Sequence, residues 1–179
     1  MNDTTGQAID STGNGNNGTV VGGVARTGSG YDFDGSTGYV SVPNSATLNP
    51  GSAPVTLTAK FTLDGNPTPS GADYDIIRKG LAGTKGGDYK MEVLSTGQAL
   101  CRFHGTAAGV VRGGTNLGTG THLLKCVDSG SSVKLIVDGV TKATAAVTVG
   151  PISNTSSVIL GAKPGDDFTN GLIDFITIS

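Results

Sequence analysis

The chain has 179 residues, a formal net charge of −2, 30 glycines, 15% charged residues and no tryptophan. That length suits one domain with a real core, and 36% hydrophobic residues fit neither a charged disordered chain nor a membrane protein. The lack of a basic field argues against nucleic acid and anionic lipid as partners, and a single glutamate, Glu92, excludes any mechanism built on a glutamate pair.

The N-terminus, MNDTTGQAID, is polar with no apolar run behind it, so neither a signal peptide nor membrane insertion is expected. The expectation is a trimmed mature segment carrying an added Met1, or an exit from the cell by another route. Asp10, Thr12, Asn14 and Gly15 then stand at positions one, three, five and six of a Ca2+-type loop, with hard oxygens and the glycine that lets the chain turn. Position twelve is Val21 and not Glu, so this is no EF-hand, and the alternative is a plain Asn/Gly-rich turn. Gly13-x-Gly15-x-x-Gly18 matches a dinucleotide fingerprint in form only, because Thr19-Val-Val opens a strand where a helix is required.

From Ser52 to Asp64 the apolar Val55, Leu57, Ala59 and Phe61 alternate with Thr56, Thr58, Lys60 and Thr62, a period of two with one dry and one wet face. The alternation returns over 90–94, 99–104, 121–127, 133–138, 143–149 and 157–160. Asp64-Gly65, Thr96-Gly97, Asp128-Ser129-Gly130 and Asp138-Gly139 punctuate it as turns. Many short strands with one apolar face each predict an all-β fold, a two-sheet antiparallel jelly-roll sandwich of about a dozen strands. No linker or composition break divides residues 1–179, which read as one domain.

Cys101 and Cys126 share the apolar parity of their strands and point inward. Cys101-x-x-His104 and His122-x-x-x-Cys126 have zinc-like spacing, yet residues three apart on a strand face opposite sides and cannot converge on one tetrahedral ion. Lys60, Lys90, Glu92, Arg102, His104 and Lys125 have solvent-side parity, as do Thr58 and Lys134. If their strands share one sheet they form a mostly basic groove able to hydrogen-bond hydroxyls or anionic sugars; the alternative is simply the wet half of an amphipathic sheet. Phe33, Phe61 and Phe103 read as buried, which leaves Tyr31, Tyr39, Tyr74 and Tyr89 to line a loop-edge site. Asp32/Asp34 and Asp73/Asp75 read as turn residues, so no carboxylate pair for glycoside hydrolysis faces a groove and no enzyme is expected.

Asp10–Thr19, Asp32–Pro43 (DFDGSTGYVSVP), Ile77-Arg-Lys-Gly80, Val133–Gly139 (VKLIVDG) and Gly171-Leu-Ile-Asp174 occur in that order. Together they resemble a laminin-G-like domain of the concanavalin A-like lectin/glucanase superfamily, of the bacterial secreted type, over essentially the whole chain. The resemblance implies an accessory or adhesive module of an extracellular, secreted or virion-surface protein. It implies a disulfide between Cys101 and Cys126, against the alternative of two buried free thiols. It also implies a structural Ca2+ held by Asp174 on the last strand with Asp34, Gly35 and the Asp10/Asn14 loop. The chain departs from the pattern with Lys60 and Thr121 where tryptophan is common and Phe175 where an acid is common, and it lacks the Glu/Asp/Glu alternation of β-glucanase relatives. The expected partner is a carbohydrate or glycosylated surface; the alternative is a spacer or self-assembling subunit that joins other chains or domains and binds no sugar.

Overall fold

The computed structural model describes residues 6–68 and 72–179; Met1 lies outside the described residues. The strands among them are β1 (Gln7–Ala8), β2 (Gly18–Val21), β3 (Val24–Arg26), β4 (Tyr31–Asp34), β5 (Tyr39–Val42), β6 (Val55–Leu63), β7 (Asp73–Lys79) and β8 (Asp88–Leu94). They continue with β9 (Ala99–His104), β10 (Ala108–Gly113), β11 (Thr121–Asp128), β12 (Ser132–Val137), β13 (Val140–Ala146), β14 (Val158–Leu160) and β15 (Asn170–Ile178). Only Ala46–Leu48, one 3-10 turn, is helical among the described residues.

The strands form two antiparallel sheets. One has eight strands in the order β1-β2-β5-β14-β7-β8-β9-β10, and the other has seven in the order β13-β12-β11-β6-β15-β4-β3. Their inner faces share one core: Leu57, Ala59, Phe61 and Leu63 of β6 meet Tyr89, Met91 and Val93 of β8 and Ala99, Cys101 and Phe103 of β9 in a single buried cluster. This is the expected jelly-roll sandwich, because burying every other side chain of many short strands requires a second sheet.

Strand ends follow turn chemistry. Asp138 (φ 50°) and Gly139 (φ 80°) are both left-handed and join β12 to β13 in the two-residue hairpin that Asp-Gly favours. The hairpin starts β13 at Val140, ahead of the alternation that begins at Ala143.

Cys101 of β9 and Cys126 of β11 form a disulfide, which settles the choice left between a bridge and free thiols and removes both sulfurs from any zinc site. The bridge crosses from one sheet to the other with the Cα atoms 5.5 Å apart, about half the ordinary 10 Å spacing of packed sheets. The sandwich is therefore pinched at the β9/β11 end.

Two β-bulges break the period of two where function is at stake. In β7 the bulge between Asp75 and Ile77 buries both Ile76 and Ile77 and sets Asp75 and Arg78 on the same outer face. In β15 the bulge between Ile173 and Phe175 leaves Asp174 as the extra residue, with Phe175 opposite Lys60 and exposed.

Candidate functional site

Sequence parity says whether a side chain points in or out, and strand pairing says on which sheet. Lys90 and Glu92 of β8 and Arg102 and His104 of β9 lie on adjacent strands of the eight-stranded sheet, with Lys90 directly opposite Arg102. Lys60 of β6 and Lys125 of β11 lie on the other sheet, as do Thr58 and Lys134. The six-residue groove is thus corrected to a four-residue face, since two of its lysines stand on the far side of the molecule. Lys60 there pairs with Asp174 at 2.8 Å.

Strand pairing also recruits residues that parity had not singled out. Across the outer face run Arg78, Lys90, Arg102 and Val110 in one row and Asp75, Glu92, Leu100 and Arg112 in the next. Asp73 and Asp75, read from the sequence as turn residues, belong to β7. The doublet Ile76-Ile77, which interrupts the alternation, was the available signal of the bulge that aligns Asp75 with Arg78.

Most of the cations on this face have a carboxylate beside them. Arg102 grips Asp88 through Nε to Oδ1 at 2.6 Å and Nη2 to Oδ2 at 3.3 Å, and His104 Nδ1 sits 3.2 Å from the same Oδ2. Lys90 pairs with Glu92, and Arg78 lies 2.7 Å from Asp75. Three carboxylates thus pair with three of the permanent cations on this face, and the fourth, Arg112, is exposed beside them.

Depth separates the two signs everywhere but at Arg78, which is buried with Asp75. The side chains of Asp75, Asp88 and Glu92 are at most 4% exposed, while Lys90 and Arg102 are 21% and His104 30% exposed. The solvent therefore meets nitrogen donors braced from beneath by carboxylates. Rigid bracing lowers the entropy that a donor loses when it binds an acceptor.

Asp75 is the least solvated member. Its amide donates to the Asp167 carbonyl, and its own carbonyl accepts from the Thr169 hydroxyl. Burial pushes its carboxyl up to about 7 against the opposing pull of Arg78. Asp73 is also raised, by burial and then by the charges of Glu92 and Asp167.

The aromatic expectations divide. Tyr89 is fully buried with its hydroxyl donating to the Leu48 carbonyl, and Tyr74 is 9% exposed, so neither is free for a ligand. Tyr39, half-buried, alternates with the core residues Val40 and Val42 and so faces outward on the eight-stranded sheet. Tyr31 is half-buried in β4. His122 is used structurally, with Nδ1 2.8 Å from Asp138 Oδ2 and Nε2 2.9 Å from the Leu117 carbonyl.

The residues expected to hold calcium have partners within the chain. Asp34 accepts from the amides of Ser36, Thr37 and Gly38 at Oδ1 and from the hydroxyls of Ser36 and Thr37 at Oδ2. Burial opposes its ionisation, but these donors outweigh burial and hold the carboxyl well below the usual range. Gly35 turns the chain there with φ 70°. Asp10 likewise accepts from Thr12 and Asn16, and Asn14 bonds to Thr12, so the N-terminal loop is a self-satisfied Asx turn. Asp174 is neutralised by Lys60. Among the described residues no three His, Cys, Asp or Glu side chains gather as a metal-binding group. The five donors on Asp34 compete with any cation for its oxygens. Chelator treatment should leave the melting temperature in place, as differential scanning fluorimetry with and without EDTA will show; a clear drop would restore the ion.

Residues 34–179 match the laminin G family profile described as the concanavalin A-like lectin/glucanases superfamily. No curated protein matches the sequence. Among solved structures the chain is similar to the binding domain of botulinum neurotoxin DC in complex with SialylT, at TM-score 0.73 and 11% identity over 95% of this chain and 44% of that one. It is similar to the binding domain of Paraclostridial Mosquitocidal Protein 1, at TM-score 0.71 and 12% identity over 94% and 45%. It is also similar to domains LG4-5 of the mouse laminin alpha1 chain, at TM-score 0.64 and 16% identity over 84% and 40%. The chain spans less than half the length of each, and at these identities the likeness is one of fold.

Proposed function

The chain is a laminin G-like domain of the concanavalin A-like lectin/glucanase superfamily, and on that premise we propose that it is a non-catalytic recognition module for carbohydrate on glycosylated surfaces. The observation that carries this reading is the donor-tipped face of Lys90, Arg102 and His104, each braced by a sunken carboxylate. Sugar hydroxyls and carboxylates accept hydrogen bonds in the plane of such donors, and Arg is suited to bidentate capture of a carboxylate. Tyr39 on the same sheet adds an aromatic surface for a sugar ring. The acceptor-rich glycans favoured are those bearing acidic sugars, in keeping with the SialylT complex of the toxin binding domain that shares the fold.

An extracellular site of action goes with this reading, because a disulfide across the core persists in oxidising compartments. Among the described residues no helix is long and apolar enough to cross a membrane.

A glycan array followed by calorimetry on the best binder tests the proposal. Arg102→Ala should weaken binding about tenfold or more, the worth of a charge-assisted hydrogen bond, while Lys60→Ala and Lys125→Ala on the opposite sheet leave affinity unchanged. An array without any binder, or equal losses from both faces, would sink it.

A further inference from the structure

His122 stands near the start of β11, opposite Phe61 of β6, and its two ring nitrogens meet groups from different parts of the chain. Nδ1 is 2.8 Å from Oδ2 of Asp138, in the turn between β12 and β13. Nε2 is 2.9 Å from the carbonyl of Leu117, in the loop between β10 and β11.

Both partners are acceptors, because neither a carbonyl nor an ionised carboxylate has a hydrogen to give. Burial opposes ionisation of Asp138, but the bonds it accepts from the Leu123 amide and from His122 outweigh burial and hold its carboxyl below the usual range. A neutral imidazole carries one N–H and one bare nitrogen, so it satisfies only one of the two partners. The imidazolium carries two N–H groups and satisfies both. Losing the proton leaves a nitrogen lone pair directed at an acceptor.

The geometry also decides which contact fails. Asp138 is fixed by the Leu123 amide, which donates to Oδ1 at 2.8 Å, and by its place in the two-residue turn. The single N–H of a neutral ring therefore stays on Nδ1 with the carboxylate, the stronger acceptor, and Nε2 gives up Leu117. Residues 113–120, Gly-Gly-Thr-Asn-Leu-Gly-Thr-Gly, bring four glycines and no charge to that loop. Its other ties run to the β8–β9 turn, from the Leu117 amide to the Gly97 carbonyl and from the Gln98 side chain to the Gly114 carbonyl. Among the described residues the charged groups beside the ring are Asp138 and Lys142 of β13, which lines the same small pocket. Asp138 acts for the proton and Lys142 against it, while Phe61–Leu63 of β6 and the β8–β9 turn carry no charge.

We propose that His122 is a proton-operated latch: the imidazolium fastens the β10–β11 loop to the β12–β13 turn, and loss of its proton releases Leu117.

Histidine changes charge between about pH 5 and 8, and the experiment spans that range. Nitrogen NMR of the full chain with isotope-labelled histidine is expected to show both His122 nitrogens protonated at the acid end and only Nδ1 protonated at the alkaline end. Over the same range amide hydrogen exchange at Leu117 and Gly118, corrected for its intrinsic pH dependence, is expected to quicken about tenfold, the worth of a charge-assisted hydrogen bond. The rate is read relative to Val133 and Leu135, core positions that report global opening. Asp138→Asn separates a latch from a plain ion pair. The new amide accepts from Leu123 through its oxygen and donates to a bare Nδ1 through its nitrogen, which leaves Nε2–H for Leu117. Asparagine also tolerates the left-handed turn. The loop in that variant should therefore stay slow to exchange at every pH, whereas in His122→Leu it should be fast at every pH. Wild-type loop exchange that tracks Val133 and Leu135 throughout, a bare ring nitrogen already at the acid end, or a loop unprotected at every pH in Asp138→Asn would overturn the proposal.

Discussion

Replacing Cys101 and Cys126 together with alanine should lower the melting temperature by about 6–12 °C. The bridge closes a sequence separation of 25 residues, and the chain-entropy model assigns such a loop about 3 kcal/mol of stabilisation through the unfolded state. For a domain of this length each kcal/mol moves the midpoint by about 2–4 °C. Alanine is the right replacement because both cysteines are fully buried in the core cluster, where a serine would bring a polar hydroxyl into an apolar site. Calorimetry of the variant and of the reduced wild type should agree. A fall under about 2 °C in both would mean that the sheets hold their pinch without the covalent link.

Asp75 should make the protein less stable as pH rises from about 4 to 7. Its carboxyl is pushed up to about 7 by burial, beyond what Arg78 recovers, whereas in the unfolded chain it titrates near 3.8. Between those values the folded state holds a proton that the unfolded state has released. Stability is therefore greatest below the unfolded value and is lost as pH climbs through the folded one, at a slope approaching about 1.4 kcal/mol per pH unit. Asp75→Asn removes the titration and should flatten this part of the profile. Urea unfolding at intervals from pH 4.5 to 7.5 reads the difference, and an identical slope in the variant would assign the dependence to other groups. The same desolvation sinks Asp75 beneath the donor tips, so the pH profile and the recognition face share one physical cause.

The legible part of this protein was the alternation. Val55 to Phe61, Ala99 to Phe103 and Leu124 to Cys126 each identified a buried face without reference to any neighbour, because a strand turns successive side chains to opposite sides whatever it pairs with. The same rule correctly placed Lys60 on the solvent side and both cysteines inside. It failed at Asp75 and Asp174, where a bulge adds one residue and resets the parity. Tyr74 and Tyr89 were expected at a loop edge, yet both have inward parity: Tyr89 alternates with the outward Lys90 and Glu92, Tyr74 pairs with the core residue Val93, and the Tyr89 hydroxyl donates to the Leu48 carbonyl.

Composition and spacing determined the fold class, the inward cysteines and the want of a glutamate pair, since each depends on local geometry or on the residue inventory alone. Tertiary structure decided which polar residues meet. Lys90 and Arg102 face one another through the β8–β9 pairing, whereas Lys60 and Lys125, identical in local pattern, stand on the opposite sheet. It also decided that Asp10 and Asp34 accept hydrogen bonds from their own loops, and that the sandwich is pinched at the disulfide. Pairing is a long-range choice set by the whole core, and a periodicity of two residues carries no information about it.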